Sequence, residues 1–120
     1  MATVHMIVGS LVVLGYLALT ILNVMAIGGR HFAWVKPLSF GVAGVLVVQY
    51  LFGFNLLGGD HDQTAWHYLI ALAALIPIGF EHASANARPD PKERARLAAI
   101  ANAATFVVVL VAYLIGEMGS

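Results

Sequence analysis

The chain has 120 residues, of which 61% are hydrophobic and 10% are charged, with a net charge of zero and no cysteine. About a quarter of the residues in an ordinary soluble domain are charged, so this composition argues against a soluble globular protein. The lack of cysteine excludes disulfides, thiolate metal sites and covalent haem attachment through a Cys-x-x-Cys-His motif. Phosphate binding needs concentrated Lys and Arg, so we expect no nucleic-acid partner.

Apolar stretches at 4–27, 37–57, 65–85 and 97–116 predict four membrane-spanning helices. The helices are expected at about residues 4–27, 37–57, 65–85 and 91–117, because the fourth begins before its apolar stretch. Each stretch is close to the roughly 20 residues that a helix needs to cross a bilayer. Because the connecting loops are short, consecutive helices should be antiparallel neighbours. The sequence therefore predicts one all-α domain over residues 1–120, an up-and-down four-helix bundle in the lipid bilayer.

The helix boundaries carry recognisable signals. Helix 1 is predicted to end at Gly28-Gly29, because glycine favours the left-handed conformation that closes a helix. Pro77 should bend helix 3 near its middle. Helix 4 has the clearest start, with Asp90 as N-cap and Pro91 at the first helical position, where its missing N–H costs nothing.

The distribution of basic residues predicts the orientation. All six fall in two of the three gaps between the apolar stretches, at 28–36 and 86–96: Arg30, Lys36, Arg88, Lys92, Arg94 and Arg96. Lys and Arg resist translocation, so the loops 28–36 and 86–96 are predicted to be cytoplasmic. Both termini and the turn at Asp60-His61-Asp62 are then outside, and the protein is expected to be integral to the plasma (inner) membrane.

Polar side chains at membrane depth are costly, so each should be paired or functional. The candidates are His5, Asn23, Gln49, Asn55, His67, Glu81, His82 and Asn102. The four amides are interpreted as interhelical hydrogen bonds. Glu81 and His82 could form a proton-handling pair, but pairing of Glu81 with Arg88 or another base of the neighbouring loop is the preferred interpretation.

Two histidines suggest a cofactor site. His5 and Gly9 share one face of helix 1, and His67 and Ala71 share one face of helix 3, at helical spacing. Helices 1 and 3 run in the same direction, so the two histidines should lie at similar depth. Two imidazoles at one level can ligate the iron of a haem b, with Gly9 and Ala71 leaving a slot for its ring. The alternative is two interfacial histidines without a cofactor. We cannot assemble the four ligands of a zinc site.

Three short strings carry a family resemblance: HMIVGSL at residues 5–11, QYLFG at 49–53 and WHYLIALA at 66–73. They resemble segments of small b-type four-helix membrane cytochromes and of one half of haem A synthase. In those families, histidines on alternate helices are axial haem ligands. The resemblance implies that role for His5 and His67 and a four-helix fold.

Together these features predict a b-type haem protein that transfers electrons near the outer membrane face, to a quinone or another membrane redox partner. Such a protein is an electron carrier rather than a catalyst. The alternative is a cofactor-free structural or assembly subunit of a larger membrane complex, or a homo-oligomer, in which apolar surfaces meet partners instead of lipid. A proton path through Glu81 and His82 is a third hypothesis, which would require oligomerisation to form a pore.

Overall fold

The structure is a computed structural model that describes residues 2–57 and 65–118. Its helices are α1 (Ala2–Ile27), α2 (Val35–Leu57), α3 (Ala65–Ala73), α4 (Leu75–Ala83) and α5 (Pro91–Met118), with a 3₁₀ turn at Ala85–Ala87. The turn predicted at Asp60-His61-Asp62 and the side chain of Asn55 lie outside the described residues. The all-α helical bundle is confirmed.

The third predicted helix is divided in two. Its halves, α3 and α4, meet at Ala74, three residues before Pro77. Proline has no N–H to donate to the carbonyl one turn earlier, so the helical ladder is interrupted there. The N–H of Ala74 instead bonds the carbonyl of Ala71 at 3.3 Å, in the tighter i to i+3 pattern. The bend predicted from Pro77 is therefore a local break in the helix.

Two of the predicted helix ends are confirmed in detail. Gly29 has φ +98°, and the amides of Gly29 and Arg30 bond the carbonyls of Ala26 and Met25, each at 3.0 Å. This pair of bonds is a Schellman motif. At the start of α5, the carboxylate of Asp90 accepts a hydrogen bond from the amide of Lys92 at 3.2 Å. That bond satisfies one of the donors that open a helix.

The first and last helices form the central pair of a bundle 49 Å long and 20 Å across. α2 packs on α1, and α3 and α4 pack on α5. Hydrogen bonds from side chains on α2 close the bundle: Tyr50 donates to the carbonyl of Ala71, and Ser39 donates to Glu81. The start of α1 and the end of α5 are joined by Ser10, which donates to the hydroxyl of Tyr113.

Small residues dominate the buried positions and large apolar ones dominate the surface. The buried alanines include Ala74, Ala85, Ala95, Ala98, Ala99, Ala101 and Ala112. Leu51 and Ile76, by contrast, are 62% and 76% exposed. This distribution is typical of helices that associate within lipid, where small side chains let the backbones approach and large apolar ones face hydrocarbon.

Three helices are long and apolar enough to cross a membrane, over Thr3–Ile27, Val35–Gly53 and Pro91–Gly116. The remaining apolar helical segment, His67–Ala83, is shorter and contains the break at Ala74. All the Lys and Arg residues lie in the α1–α2 and α4–α5 connections or in the first turns of the helices that follow them, at one end of the bundle, which we call the basic end. His5 and His67 lie at the opposite end, which we call the histidine end.

The contact between α1 and α2 gives a test of this packing. A Cβ on Gly15 would lie 2.9 Å from a Val42 methyl, whereas one on Gly44 would meet nothing within 4 Å in the described part of the chain. Both Gly→Ala changes gain the same helix propensity. We therefore expect Gly15→Ala to be less stable than Gly44→Ala by about 1–3 kcal/mol, the usual cost of overpacking. Detergent-induced unfolding would measure this, and equal stabilities would contradict the packing described.

Candidate functional site

The bundle brings His5 of α1 and His67 of α3 together. Their ring centroids are 6.2 Å apart and the ring planes cross at 79°. The prediction that these residues lie at similar depth is confirmed. The two helices are not sequential neighbours, so the bundle itself creates the pair.

His67 is held in a defined orientation by α5. Its Nδ1 lies 2.8 Å from the carbonyl oxygen of Ala112. A carbonyl can only accept, so Nδ1 carries the proton and donates. In the neutral ring, Nε2 then has a free lone pair, which is the form in which histidine binds a metal.

Glycines lie against both imidazoles. A Cβ on Gly116 of α5 would lie 2.9 Å from Cε1 of His67, and a Cβ on Gly53 of α2 would lie 3.2 Å from Cε1 of His5. A Cβ atom essentially never comes within 3.0 Å of a heavy atom that belongs to a residue elsewhere in the chain. The missing side chain at Gly116 is therefore what lets the His67 ring lie against α5.

His5 is held most closely through its backbone. The side-chain amide of Gln49 donates to the His5 carbonyl at 2.6 Å. The Gln49 side chain also interacts with the His5 side chain. The ring nitrogen Nδ1 of His5 and the oxygen Oε1 of Gln49 are both buried without a close hydrogen-bond partner among the described residues. Buried polar atoms without partners are costly, so both are candidates for a closer contact, with each other or with a bound group.

Gly9 and Ala71, which were predicted to leave a slot for a cofactor ring, lie next to other polar side chains. A Cβ on Gly9 would lie 3.0 Å from the amide nitrogen of Gln49 and 3.5 Å from the ring of Tyr113. The carbonyl of Ala71 accepts a hydrogen bond from Tyr50 at 2.5 Å. The slot for a cofactor ring at these two positions stays a prediction.

Among the described residues, no three or more His, Cys, Asp or Glu side chains are grouped so that they could hold a metal ion. What this end of the bundle offers is two imidazoles, with the Gln49 amide and the Ala112 carbonyl beside them. Such a pair can ligate a metal whose other ligands come from a cofactor, as in haem.

A second polar cluster lies toward the basic end. Glu81 is 2% exposed and accepts a hydrogen bond from the hydroxyl of Ser39, itself 2% exposed. Its other oxygen, Oε1, lies 3.8 Å from Nε2 of His82, whose ring stacks on Phe40. The expected pairing of Glu81 with Arg88 is wrong: Arg88 is exposed, and a hydroxyl from α2 takes that place.

The buried amides behave differently from one another. Gln49 bonds across helices to His5, as predicted. Asn23 and Asn102 instead donate to carbonyls of their own helices, at Leu19 and Ala98, so for these donors the prediction of interhelical bonds is wrong. Donation to the carbonyl one turn earlier lets a short amide satisfy its N–H groups without a partner helix.

Sequence reasoning missed the part of the site that α5 supplies. Ala112 and Gly116 are four residues apart, a spacing of small residues that marks a close helix contact in membranes. That spacing could have identified the face of α5 that meets another helix. It could not have identified His67 as the side chain in contact.

Comparison with known protein families, with curated proteins and with solved structures finds no match to this chain.

The Ser39–Glu81 bond provides a second test. Removing the hydroxyl by Ser39→Ala leaves a fully buried carboxylate short of a donor, which costs about 1–3 kcal/mol of stability. The matched change Ser10→Ala removes a half-buried interhelical hydroxyl, where about 0.6 kcal/mol is typical in membrane proteins. Detergent-induced unfolding of both variants measures the difference. A Ser39→Ala protein as stable as Ser10→Ala would show that the carboxylate does not depend on this donor.

Proposed function

We propose that the protein binds one b-type haem through His5 and His67 and serves in electron transfer within a membrane. The observation that carries this proposal is the separation of the two imidazole centroids, 6.2 Å, with the ring planes nearly perpendicular.

The separation fits the dimensions of a two-histidine iron site. A metal–imidazole bond is about 2 Å and a ring nitrogen lies about 1 Å from the centre of its ring, so imidazoles with centroids about 6 Å apart are close enough for both to hold one metal ion. Aromatic rings in direct contact can also reach this separation. The free lone pair on His67 is an additional feature that favours ligation.

The residues around the pair would position the imidazoles. Ala112 orients His67 through the Nδ1 hydrogen bond, and such contacts fix the tautomer and strengthen a histidine ligand. Gly116 and Gly53 leave room for the two imidazoles, and Gln49 ties the start of α1 to α2. A haem bound there supplies a one-electron redox change.

A haem held by both His5 and His67 would supply electron transfer rather than a binding position for a substrate. The partner would be a quinone or a membrane redox protein that approaches the histidine end. With the basic end in the cytoplasm, this end lies at the outer face of the plasma membrane. The resemblance of the strings around the two histidines to b-type cytochromes supports the same function.

The haem ligands are tested by an absorption spectrum. We expect the detergent-purified protein to show sharp α and β bands on reduction, at about one haem per chain, as six-coordinate b-type sites do. His5→Ala and His67→Ala should each abolish this low-spin spectrum. His31→Ala, which changes an exposed histidine at the other end of the bundle, should preserve it. Normal spectra in both ligand variants would refute the assignment, and a colourless wild-type protein would favour the cofactor-free subunit.

The fit of His67 against α5 gives a subtler test. Gly116→Ala places a methyl group where the His67 ring lies, so we expect haem affinity to fall by about tenfold, as when outer-shell contacts of a metal ligand are lost. Gly79→Ala is the matched control, because a Cβ there meets nothing within 4 Å in the described part of the chain. Haem transfer to apomyoglobin measures the affinities, and equal transfer from both variants would contradict the proposed role of Gly116.

A further inference from the structure

The His67 ring is held by two residues of α5 that are four positions apart. Gly116 leaves space for the ring, since a Cβ there would lie 2.9 Å from Cε1 of His67. Ala112, one turn earlier on the same helix face, supplies the carbonyl that accepts the Nδ1 proton at 2.8 Å. A small residue and an acceptor thus fix both the position and the tautomer of this imidazole.

The helix α2 presents a similar pair of residues to His5. Gly53 lies against the ring, where a Cβ would be 3.2 Å from Cε1 of His5, and Gln49 lies one turn earlier on the same face. The amide nitrogen of Gln49 donates to the His5 backbone carbonyl at 2.6 Å, and the Gln49 side chain also interacts with the imidazole. Gln49 therefore stands beside His5 where Ala112 stands beside His67.

The bond to the backbone decides how the Gln49 amide is oriented. A carbonyl can only accept, so the group next to the His5 carbonyl is the NH₂ group, and the other atom of the amide is Oε1. Oε1 can only accept, whereas Nδ1 of His5 can donate. Both atoms are buried, and neither has a close hydrogen-bond partner among the described residues. One bond between them would remove the cost of two unsatisfied polar atoms.

From this arrangement we propose that Gln49 is a positioning residue for His5, whose Nδ1–H donates to Oε1 of Gln49. A small rotation of the imidazole or of the amide completes the bond. His5 and His67 then both carry the proton on Nδ1 and keep the lone pair on Nε2, so the site presents the same tautomer from two helices.

The effect of this bond on a metal rests on the haem site proposed above, whereas the tautomer itself does not. A hydrogen bond from Nδ1–H fixes the orientation of a histidine ligand and makes its other nitrogen a stronger donor. A stronger donor favours ferric over ferrous iron. Loss of the Gln49 acceptor should therefore raise the midpoint potential and weaken haem binding by about tenfold.

The tautomer is tested on the full chain in detergent, freed of any haem, by NMR of ¹⁵N-labelled histidine. At alkaline pH both rings are neutral, and protonated and unprotonated ring nitrogens have well-separated shifts. His5→Ala and His67→Ala assign the signals. We expect Nδ1 to carry the proton in both histidines of the wild-type protein. A wild-type His5 with its proton on Nε2 would overturn the proposal, and this measurement needs no change at Gln49.

Two variants at Gln49 separate its two bonds. Gln49→Met removes both, so His5 should shift toward the tautomer with the proton on Nε2, while His67 is the internal control and should not change. The carboxylate of Gln49→Glu cannot donate to the His5 backbone but still accepts from the ring, so Nδ1 should stay protonated. Survival of the Nδ1–H tautomer in Gln49→Met, or its loss in Gln49→Glu, would show that Gln49 acts only through the backbone and overturn the proposal.

The role at the metal is measured separately, on the protein loaded with haem. We expect a midpoint potential above that of the wild type in Gln49→Met and below it in Gln49→Glu. Equal potentials in the three proteins would contradict the role of Gln49 at the metal. A wild-type protein that binds no haem would refute the proposed function, and the NMR result would still decide whether Gln49 sets the tautomer of His5.

Discussion

The whole arrangement depends on how closely α1 and α5 approach each other. In hydrocarbon, apolar side chains gain nothing by leaving lipid for a neighbouring helix, so association depends on van der Waals contact and hydrogen bonds. α5 allows a close approach because its buried face consists largely of alanines. The buried residues of α1 include Val12, Tyr16 and Leu19. The other helices then pack on this pair. Polar side chains in the core mostly bond to carbonyls of their own helices, which leaves the contact surface smooth.

At each end of the bundle, the local packing of the helices leaves room for other groups. At the histidine end, glycines on α2 and α5 admit two imidazole rings that would otherwise meet side chains. At the basic end, loops and helix termini diverge enough to leave a cavity over a buried carboxylate. One end therefore brings two imidazole rings together, and the other places a cavity beside a buried glutamate.

Much of the fold follows from the sequence because its signals are local. Hydrophobic length specifies the helices, Gly29 and Asp90 specify two of their ends, and the loss of an N–H at Pro77 specifies a break. The similar depth of His5 and His67 also follows from the sequence. Helices 1 and 3 run in the same direction, and each histidine lies near the start of its helix. The partners of buried polar groups were harder to predict. Ser39 reaches Glu81 and Ala112 reaches His67 only because of helix rotations and contacts that depend on the packing of the entire bundle, which no short sequence pattern encodes.

The pairing of the first helix with the last has a consequence for biosynthesis. Ser10 and Tyr113 bond across 103 positions of the chain, so α1 is synthesised long before its main partner has been translated. Until then, α1, with its buried Tyr16 and Asn23, lacks the packing that α5 provides. The bundle can reach its final form only after the ribosome has completed α5.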